Sequence, residues 1–156
     1  MINIRKTKLL SLYIEGKYQE VLNTVEEIRK TNPNDIYSLF YAADSYRKLE
    51  MYDNSIEILR YILSINCMNI AAKIDLFDLL YKLNRYEEAK QLLDEILTFD
   101  CEEVKNNISY YELAKIIIEQ HIDSKRRRLK LNRTKSKKHF NSSEEAESSH
   151  INLYIK

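Results

Sequence analysis

Length, composition and charge already exclude several structural classes for this chain. Its 156 residues fit one domain, and 44% hydrophobic residues are enough to form a core. A single glycine and a single proline leave too few residues for the tight turns of a β-sheet protein, which predicts an all-α fold. Because Gly16 is the only glycine, a glycine-rich phosphate-binding loop is also excluded.

The charge is divided unevenly along the chain. The formal net charge is +1, yet residues 1–124 carry 15 basic and 21 acidic side chains. Residues 125–139, by contrast, carry nine basic side chains and no acidic one. Apolar residues are rare over residues 132–150, and such a composition buries too little surface to offset the entropy lost on ordering. We therefore expect a body over residues 1–124 and a disordered tail over residues 125–156.

The sequence contains no segment that indicates secretion or membrane insertion. The apolar run at residues 9–14 is too short for a secretory signal, and no run has membrane length. Cys67 and Cys101 occupy equivalent repeat positions, which are about 10 Å apart in packed helices and too distant for a disulfide. We therefore expect reduced thiols, no membrane contact and a cytoplasmic or nuclear location.

A 34-residue step recurs through the first two thirds of the chain. It separates Tyr18, Tyr52 and Tyr86. The same step links two further sets, Ile28, Ile62 and Ile96, and Val21, Ser55 and Ala89. A fixed period of this size is typical of stacked two-helix units that bury their apolar faces on one another. It predicts three helical hairpins at about residues 2–35, 36–69 and 70–103.

Turn and cap residues mark the boundaries of these hairpins. Gly16 can adopt the left-handed conformation that ends a helix. Pro33 cannot continue a helix, and Asp35 can accept hydrogen bonds from the first N–H groups of the next one. These residues predict a turn inside the first hairpin and a boundary before the second.

One further helix is predicted over residues 104–124, without a second helix to pair with it. Its apolar residues, including those between Ile116 and Ile122, spread over more than one face. One interpretation is a wide apolar face that is mostly buried on the third hairpin. The other is a docking patch for a second copy of the chain or for a partner.

The motif positions of the hairpins resemble those of the tetratricopeptide repeat family. The family pattern is Trp-x2-Leu-Gly-x2-Tyr, then Ala-x3-Phe, then Pro. The second hairpin has Leu39-x2-Ala42-Ala43-x2-Tyr46 and Ser55-x3-Leu59, and the third has Lys73-x2-Leu76-Phe77-x2-Leu80 and Ala89-x3-Leu93. Phe77 stands where a small residue is usual. The resemblance covers about residues 2–120 and implies a right-handed α-solenoid of about three hairpins with a C-terminal helix.

The resemblance also implies a concave groove, lined by the first helix of each hairpin, that holds a partner peptide or helix. By repeat position its lining residues are Tyr37, Phe40, Tyr41, Asp44, Lys48, Ile74, Asp75, Asp78, Ile108 and Glu112. Aromatic rings anchor interfaces, and the four carboxylates favour a partner with basic residues. The expected partner is thus a basic or apolar peptide. The alternative is an ordinary solvated face whose rings pack within the stack.

One subtype of the family is disfavoured. Its chaperone-binding members hold a C-terminal carboxylate with Lys, Asn and Arg side chains, whose positions here are Lys6, Leu10, Tyr41, Ala71 and Asp75. Only Lys6 has the required chemistry, and Asp75 would repel a carboxylate. A chaperone C-terminus is therefore not the expected ligand.

No set of residues indicates catalysis. His121, His139 and His150 are scattered and lack a convincing metal-ligand spacing. Asp75 and Asp78 share a helical face, but no neighbour is placed to push their pKa values apart, as a working acid–base pair requires. We expect no enzymatic activity, no metal and no cofactor.

The basic tail allows three interpretations. Its basic residues are Lys125, Arg126, Arg127, Arg128, Lys130, Arg133, Lys135, Lys137 and Lys138. They can form a nuclear localisation signal, a contact with nucleic acid or another anionic surface, or a solvated charge run. The leading hypothesis is a non-enzymatic adaptor or scaffold subunit. The alternatives are a nucleic-acid-associated protein anchored by the tail and a subunit of a larger repeat assembly.

Overall fold

Three helical hairpins form most of the protein. The structure, a computed structural model, describes the backbone of residues 2–151 and the side chains of residues 5–134. The hairpin helices are α1 (Ile2–Ile14), α2 (Tyr18–Arg29), α3 (Ile36–Lys48), α4 (Tyr52–Ile65), α5 (Ile70–Lys82) and α6 (Tyr86–Ile96). A short α7 (Glu102–Asn106) and a long α8 (Ile108–Ile151) follow. Residues 2–151 contain no strand, so the predicted all-α fold is confirmed.

The hairpins stack in chain order. Within each hairpin the two helices pack on each other, and α2 packs on α3 as α4 packs on α5. The helices α2, α4 and α6 begin at Tyr18, Tyr52 and Tyr86, the residues that define the 34-residue step. The helical solenoid predicted from that step is therefore confirmed.

The turn inside every hairpin has the same backbone conformation. Gly16, Glu50 and Asn84 have φ values of +73°, +59° and +58°, and they occupy the same position in three successive repeats. The amide after each one donates to a carbonyl five residues earlier, as Lys17 N does to Leu12 O at 2.9 Å. This arrangement closes a helix with a residue in the left-handed region, where glycine is favoured. Glu50 therefore occupies a position that disfavours its side chain.

Replacing Glu50 with glycine is expected to raise the free energy of unfolding by about 0.5 kcal/mol. The change relieves about 1–2 kcal/mol of steric strain, and the added freedom of the unfolded chain offsets part of that gain. Denaturant unfolding would measure the difference. The matched control is Glu57→Gly, at an exposed position in the middle of α4. This change should lower the free energy of unfolding by about 1 kcal/mol. Equal losses in both variants would contradict the strain at Glu50.

The predicted cap at Asp35 is present. Its side chain accepts a hydrogen bond from the Ser38 amide at 3.2 Å, and Asn69 accepts one from the Ala72 amide at 3.0 Å. Both caps begin the first helix of a hairpin, at the same position in the repeat. The interhairpin turns are thus set by short polar side chains, as helix N-termini generally prefer.

The apolar core of the first two hairpins joins three helices. Leu9 and Leu12 of α1 lie in one buried cluster with Val21, Val25 and Ala42 of α2 and α3. The third hairpin has its own buried centre at Phe77, which is fully buried. Each first helix thereby keeps one face in the core and leaves the other available.

The C-terminal region is helical as far as the structure describes its backbone. The chain divides into a compact unit that ends at Tyr111 and a second that begins at Glu112. The boundary expected between residues 124 and 125 stays a prediction. The helix α8 runs to Ile151, and the disorder expected for residues 125–156 stays a prediction. After Pro33 the chain contains neither glycine nor proline, so nothing in this segment ends a helix. Residues 152–156 of the predicted tail lie outside the described part.

Two expectations about cysteines and membranes can be compared with the described residues. Cys67 and Cys101 are both free thiols. None of the described helices combines the length and the apolar character needed to cross a membrane.

Candidate functional site

An open pocket of about 240 Å³ lies on the first helices of all three hairpins. Its lining comprises Tyr13 of α1, Phe40, Tyr41, Asp44 and Arg47 of α3, and Asp75 of α5. The helical repeat brings these residues together because each first helix turns the same face outward. The pocket belongs entirely to the first unit.

The aromatic wall of the pocket includes a chain of three tyrosine rings in contact. The ring of Tyr41 lies 5.2 Å from that of Tyr13 and 5.0 Å from that of Tyr37, between ring centroids. The hydroxyls of Tyr37 and Tyr41 are 3.3 Å apart, and this hydrogen bond, together with burial, raises the pKa of Tyr41 to about 12. Burial and the bond to Asp44 raise the pKa of Tyr13 to about 12. Both hydroxyls therefore remain protonated donors.

The charged side of the pocket contains one compensated carboxylate and one that is less well compensated. Arg47 Nε donates to Asp44 Oδ1 at 2.8 Å, and the Tyr13 hydroxyl donates to Asp44 Oδ2. Burial raises the pKa of Asp75, although Arg47 acts to lower it. A negative charge on Asp75 is thus less well stabilised than it would be in water.

Further along α5, Asp78 has a different partner. The Tyr110 hydroxyl donates to Asp78 Oδ1 at 3.0 Å. Burial raises the pKa of Asp78, and burial with the nearby Asp78 charge raises the pKa of Tyr110. Burial therefore acts on Asp75 and Asp78 in the same direction, and the Tyr110 hydroxyl opposes it only at Asp78.

The structure brings together only part of the predicted groove. Phe40, Tyr41, Asp44 and Asp75 share the pocket, and Tyr37 adjoins it through Tyr41. The remaining five predicted residues do not line this pocket; they are Lys48, Ile74, Asp78, Ile108 and Glu112.

Each of these five residues has a separate location. Lys48 is exposed in the last turn of α3, and Ile74 is half-buried on α5. Ile108 lines a second open pocket of about 340 Å³, with Phe99 and Val104 among its neighbours. Asp78 is bound by Tyr110, as described above. Glu112 is exposed and belongs to the second unit.

Two lining residues, Tyr13 and Arg47, were missing from the prediction. They occupy the same position in successive repeats, and Tyr81 occupies it in the third. The ring of Tyr13 packs 5.7 Å from Tyr18, as that of Tyr81 packs 5.8 Å from Tyr86. The repeat step applied to Tyr13 would have identified this position.

The basic residues predicted for the tail lie along α8. Six of them have described side chains, all exposed: Lys125, Arg126, Arg127, Arg128, Lys130 and Arg133. Arg126 lies 3.7 Å from Asp123 in an exposed ion pair. The side chains of Lys135, Lys137 and Lys138 lie outside the described part.

Metal chemistry finds no support among the described side chains. No group of three or more His, Cys, Asp or Glu residues among them is arranged to hold a metal ion. The pocket itself presents ring faces, hydroxyl groups, one cation and two carboxylates.

Sequence comparison matches part of the chain to a known repeat. Residues 46–103 match the family model described as Tetratricopeptide repeat. Residues 46–103 therefore contain tetratricopeptide repeat sequence. The resemblance inferred from the motif positions is thereby confirmed. The comparison with curated proteins found no match to this chain.

Solved structures share the tetratricopeptide fold at low sequence identity. The Yersinia enterocolitica type III secretion chaperone SycD, in complex with a peptide of the translocator YopD, has a TM-score of 0.67 and 14% identity, covering 77% of this chain and 93% of SycD. A second SycD structure has a TM-score of 0.66 and 14% identity, covering 78% and 86% of the two chains. The Arabidopsis OM64 TPR domain has a TM-score of 0.62 and 18% identity, covering 76% and 94%. At these identities the likeness establishes the tetratricopeptide fold.

Proposed function

We propose that this protein is a non-catalytic interaction module that binds a partner peptide or helix across the first helices of its hairpins. The observation that carries the proposal is the open pocket of about 240 Å³ in which α1, α3 and α5 each contribute side chains. Aromatic rings supply large contact areas with few rotatable bonds, which makes them effective anchors at interfaces.

The comparisons support a peptide as the ligand class. SycD was solved with a peptide of YopD bound, and its fold matches most of this chain. YopD is the partner of SycD, whereas the partner of this chain is defined only by its chemistry. A module of this kind fits an adaptor or a scaffold subunit.

Selection from a random peptide library on the full chain tests this function. We expect the enriched peptides to share a consensus and to bind with a Kd in the range of about 1–100 μM, which is typical of small transient contacts. The same library panned on an unrelated helical protein is the control. If no consensus is enriched above that control, the module does not bind peptides and the proposal fails.

A second candidate function rests on α8. Arg126, Lys130 and Arg133 lie at helical spacing i, i+4 and i+7, so they form one exposed basic stripe in which successive residues rise about 4.5–6 Å along the axis. Such a stripe can follow a row of nucleic-acid phosphates. We propose sequence-independent binding to duplex nucleic acid, with the repeats recruiting the partner.

Salt dependence distinguishes this candidate from groove binding. Binding of a labelled duplex should weaken steeply between 50 and 200 mM salt, because each neutralised phosphate releases a counterion. The triple variant R126Q/K130Q/R133Q should lower the slope of log Kd against log salt by about 3, and a control with three exposed lysines of the first unit replaced, K17Q/K48Q/K82Q, should not. Equal slopes in both variants would reject the stripe as the contact.

Self-association through the segment between Ile116 and Ile122 also remains a proposal. Ile118 and Ile122 are buried, while Leu113, Ile116 and Ile117 are 58%, 52% and 38% exposed. Only the exposed side chains of this helix could contact a second copy of the chain, so the contact surface would be smaller than the whole predicted segment. We place the protein in the cytosol or nucleus, where its two free thiols would stay reduced. Sedimentation of the full chain tests self-association, and imaging of a tagged copy tests the location.

A further inference from the structure

We propose that the pocket between α1, α3 and α5 recognises a basic side chain of the partner, arginine or lysine, and that Asp75 accepts its cationic group. This inference rests on the proposed function, since it specifies the chemistry of the ligand that the same pocket would take. It follows from the unequal state of the two carboxylates in the pocket, from the net charge of the lining and from its aromatic wall.

Asp44 has little capacity left for a ligand. One of its oxygens accepts from Arg47 and the other from Tyr13. This arrangement holds the Arg47 guanidinium beside Asp44. Burial acts to lower the pKa of Arg47, but the bond to Asp44, with the charges of Asp44 and Asp75, outweighs it and raises that pKa. Asp44 and Arg47 therefore form a neutral, internally satisfied pair in the pocket wall.

Asp75 is the carboxylate that remains available. It is half-buried, and none of the described side chains donates a hydrogen bond to it. Burial raises its pKa, Arg47 opposes that shift, and the charges of Asp44, Asp78 and Glu103 add to it. A half-buried carboxylate in this state gains stabilisation from a cation that enters the pocket.

The net charge of the lining favours one cation over an anion. Asp44, Asp75 and Arg47 together carry a net charge of −1, so a single basic side chain would neutralise the pocket. An acidic side chain would instead meet the unpaired carboxylate in a partly dry environment, which is costly. A purely apolar side chain would leave Asp75 desolvated without a partner.

The aromatic wall complements this charge. Tyr13, Phe40 and Tyr41 line the same pocket as Asp75, and the tyrosine rings already contact each other edge to face. Ring faces attract ammonium and guanidinium groups, and arginine also stacks on them. The methylene part of a basic side chain would pack on the rings while its charged end reaches Asp75.

Titration of the full chain with capped amino acids tests the inference by amide chemical shifts. The probes are N-acetyl-arginine amide, N-acetyl-norleucine amide and N-acetyl-glutamate amide. The arginine probe should shift the Tyr41 and Asp75 amides with a Kd on the order of 1 mM, and the other two should bind at least about tenfold more weakly. The D75N variant should bind the arginine probe about tenfold more weakly than the unchanged chain. The D53N variant, which removes an exposed carboxylate from α4, should bind this probe as the unchanged chain does.

A stability measurement separates recognition from a structural role. The pKa of Asp75 is raised in the folded chain, so its contribution to stability is present below the unfolded pKa and is lost as pH rises through the folded pKa. D75N should therefore unfold at a higher denaturant concentration than the unchanged chain at pH 7, and the difference should vanish in acid. A destabilised D75N variant would assign Asp75 a structural role and overturn the inference.

The outcomes distinguish this inference from the proposed function. If library peptides bind but D75N retains their affinity, or if norleucine binds as tightly as arginine, the basic-side-chain inference fails and peptide binding stands. If neither peptides nor the arginine probe bind, both fail. A library consensus with an invariant basic residue, lost on D75N, supports both.

Discussion

Phe77→Ala is expected to lower the free energy of unfolding by about 3–5 kcal/mol, the usual cost of emptying a fully buried phenylalanine site. The Phe77 ring stacks on Tyr81 with centroids 5.8 Å apart, and it meets the edges of Tyr111 at 5.9 Å and Tyr110 at 6.3 Å. Three aromatic contacts would be lost together, beyond the loss of buried area. Denaturant unfolding followed by circular dichroism measures the effect.

Two controls separate this loss from the mere removal of a phenylalanine. Phe77→Leu keeps most of the volume and should cost less than about 1.5 kcal/mol. Phe40→Ala removes a ring that is only half-buried and should cost about 1 kcal/mol. If Phe77→Ala cost no more than Phe40→Ala, the aromatic cluster would not be the centre of the third hairpin.

Replacing Phe40 and Tyr41 together with alanine is expected to weaken binding of a library-selected peptide by about 30- to 1000-fold, or about 2–4 kcal/mol. Both rings line the pocket, and Tyr41 also joins Tyr13 to Tyr37. The double change therefore removes the anchor surface and the link between α1 and α3. Titration of a fluorescent peptide against the full chain gives the two affinities.

The matched control for this prediction is Tyr61→Ala on α4. Tyr61 is also half-buried and hydrogen-bonded, to Asn34 at 2.8 Å, but it lies on a second helix, away from the pocket. Its truncation should leave peptide affinity within about twofold, since residues outside an interface contribute little to binding. An equal loss in both variants would point to general destabilisation.

Local chemistry made the hairpins predictable from sequence. The left-handed conformation expected at Gly16 is present, and Glu50 and Asn84, at the same position in the next two repeats, adopt a similar φ that was not predicted for them. Asp35 forms the cap predicted for it. These features depend on a few neighbouring residues, so a short window of sequence contains the information that determines them.

The pocket was only partly predictable because it depends on packing between distant helices. Phe40, Tyr41, Asp44 and Asp75 were identified by repeat position, and the structure brings them together. Arg47 was missed because its role follows from the contact with Asp44 and from the charge of Asp75, neither of which a motif contains. Repeat position identifies which side chains face outward, but not which of them neutralise each other.

The tail over residues 125–156 stays a prediction, and its composition contains two opposing indications. Its composition indicated a high cost of ordering, and that argument gave no weight to helix propensity. Lysine, arginine and glutamate are good helix formers, and neither glycine nor proline interrupts α8. A helix that continues from an ordered start also avoids the cost of forming a new nucleus.

The central claim is that first helices from three stacked hairpins form one recognition surface. Amide chemical-shift mapping of the full chain with a library-selected peptide tests it most directly. We predict that the shifted residues include Tyr13 of α1, Tyr41 of α3 and Asp75 of α5 in a single saturable transition, with α2, α4 and α6 largely unchanged. Shifts confined to α2, α4 and α6, or to α8 alone, would contradict the account.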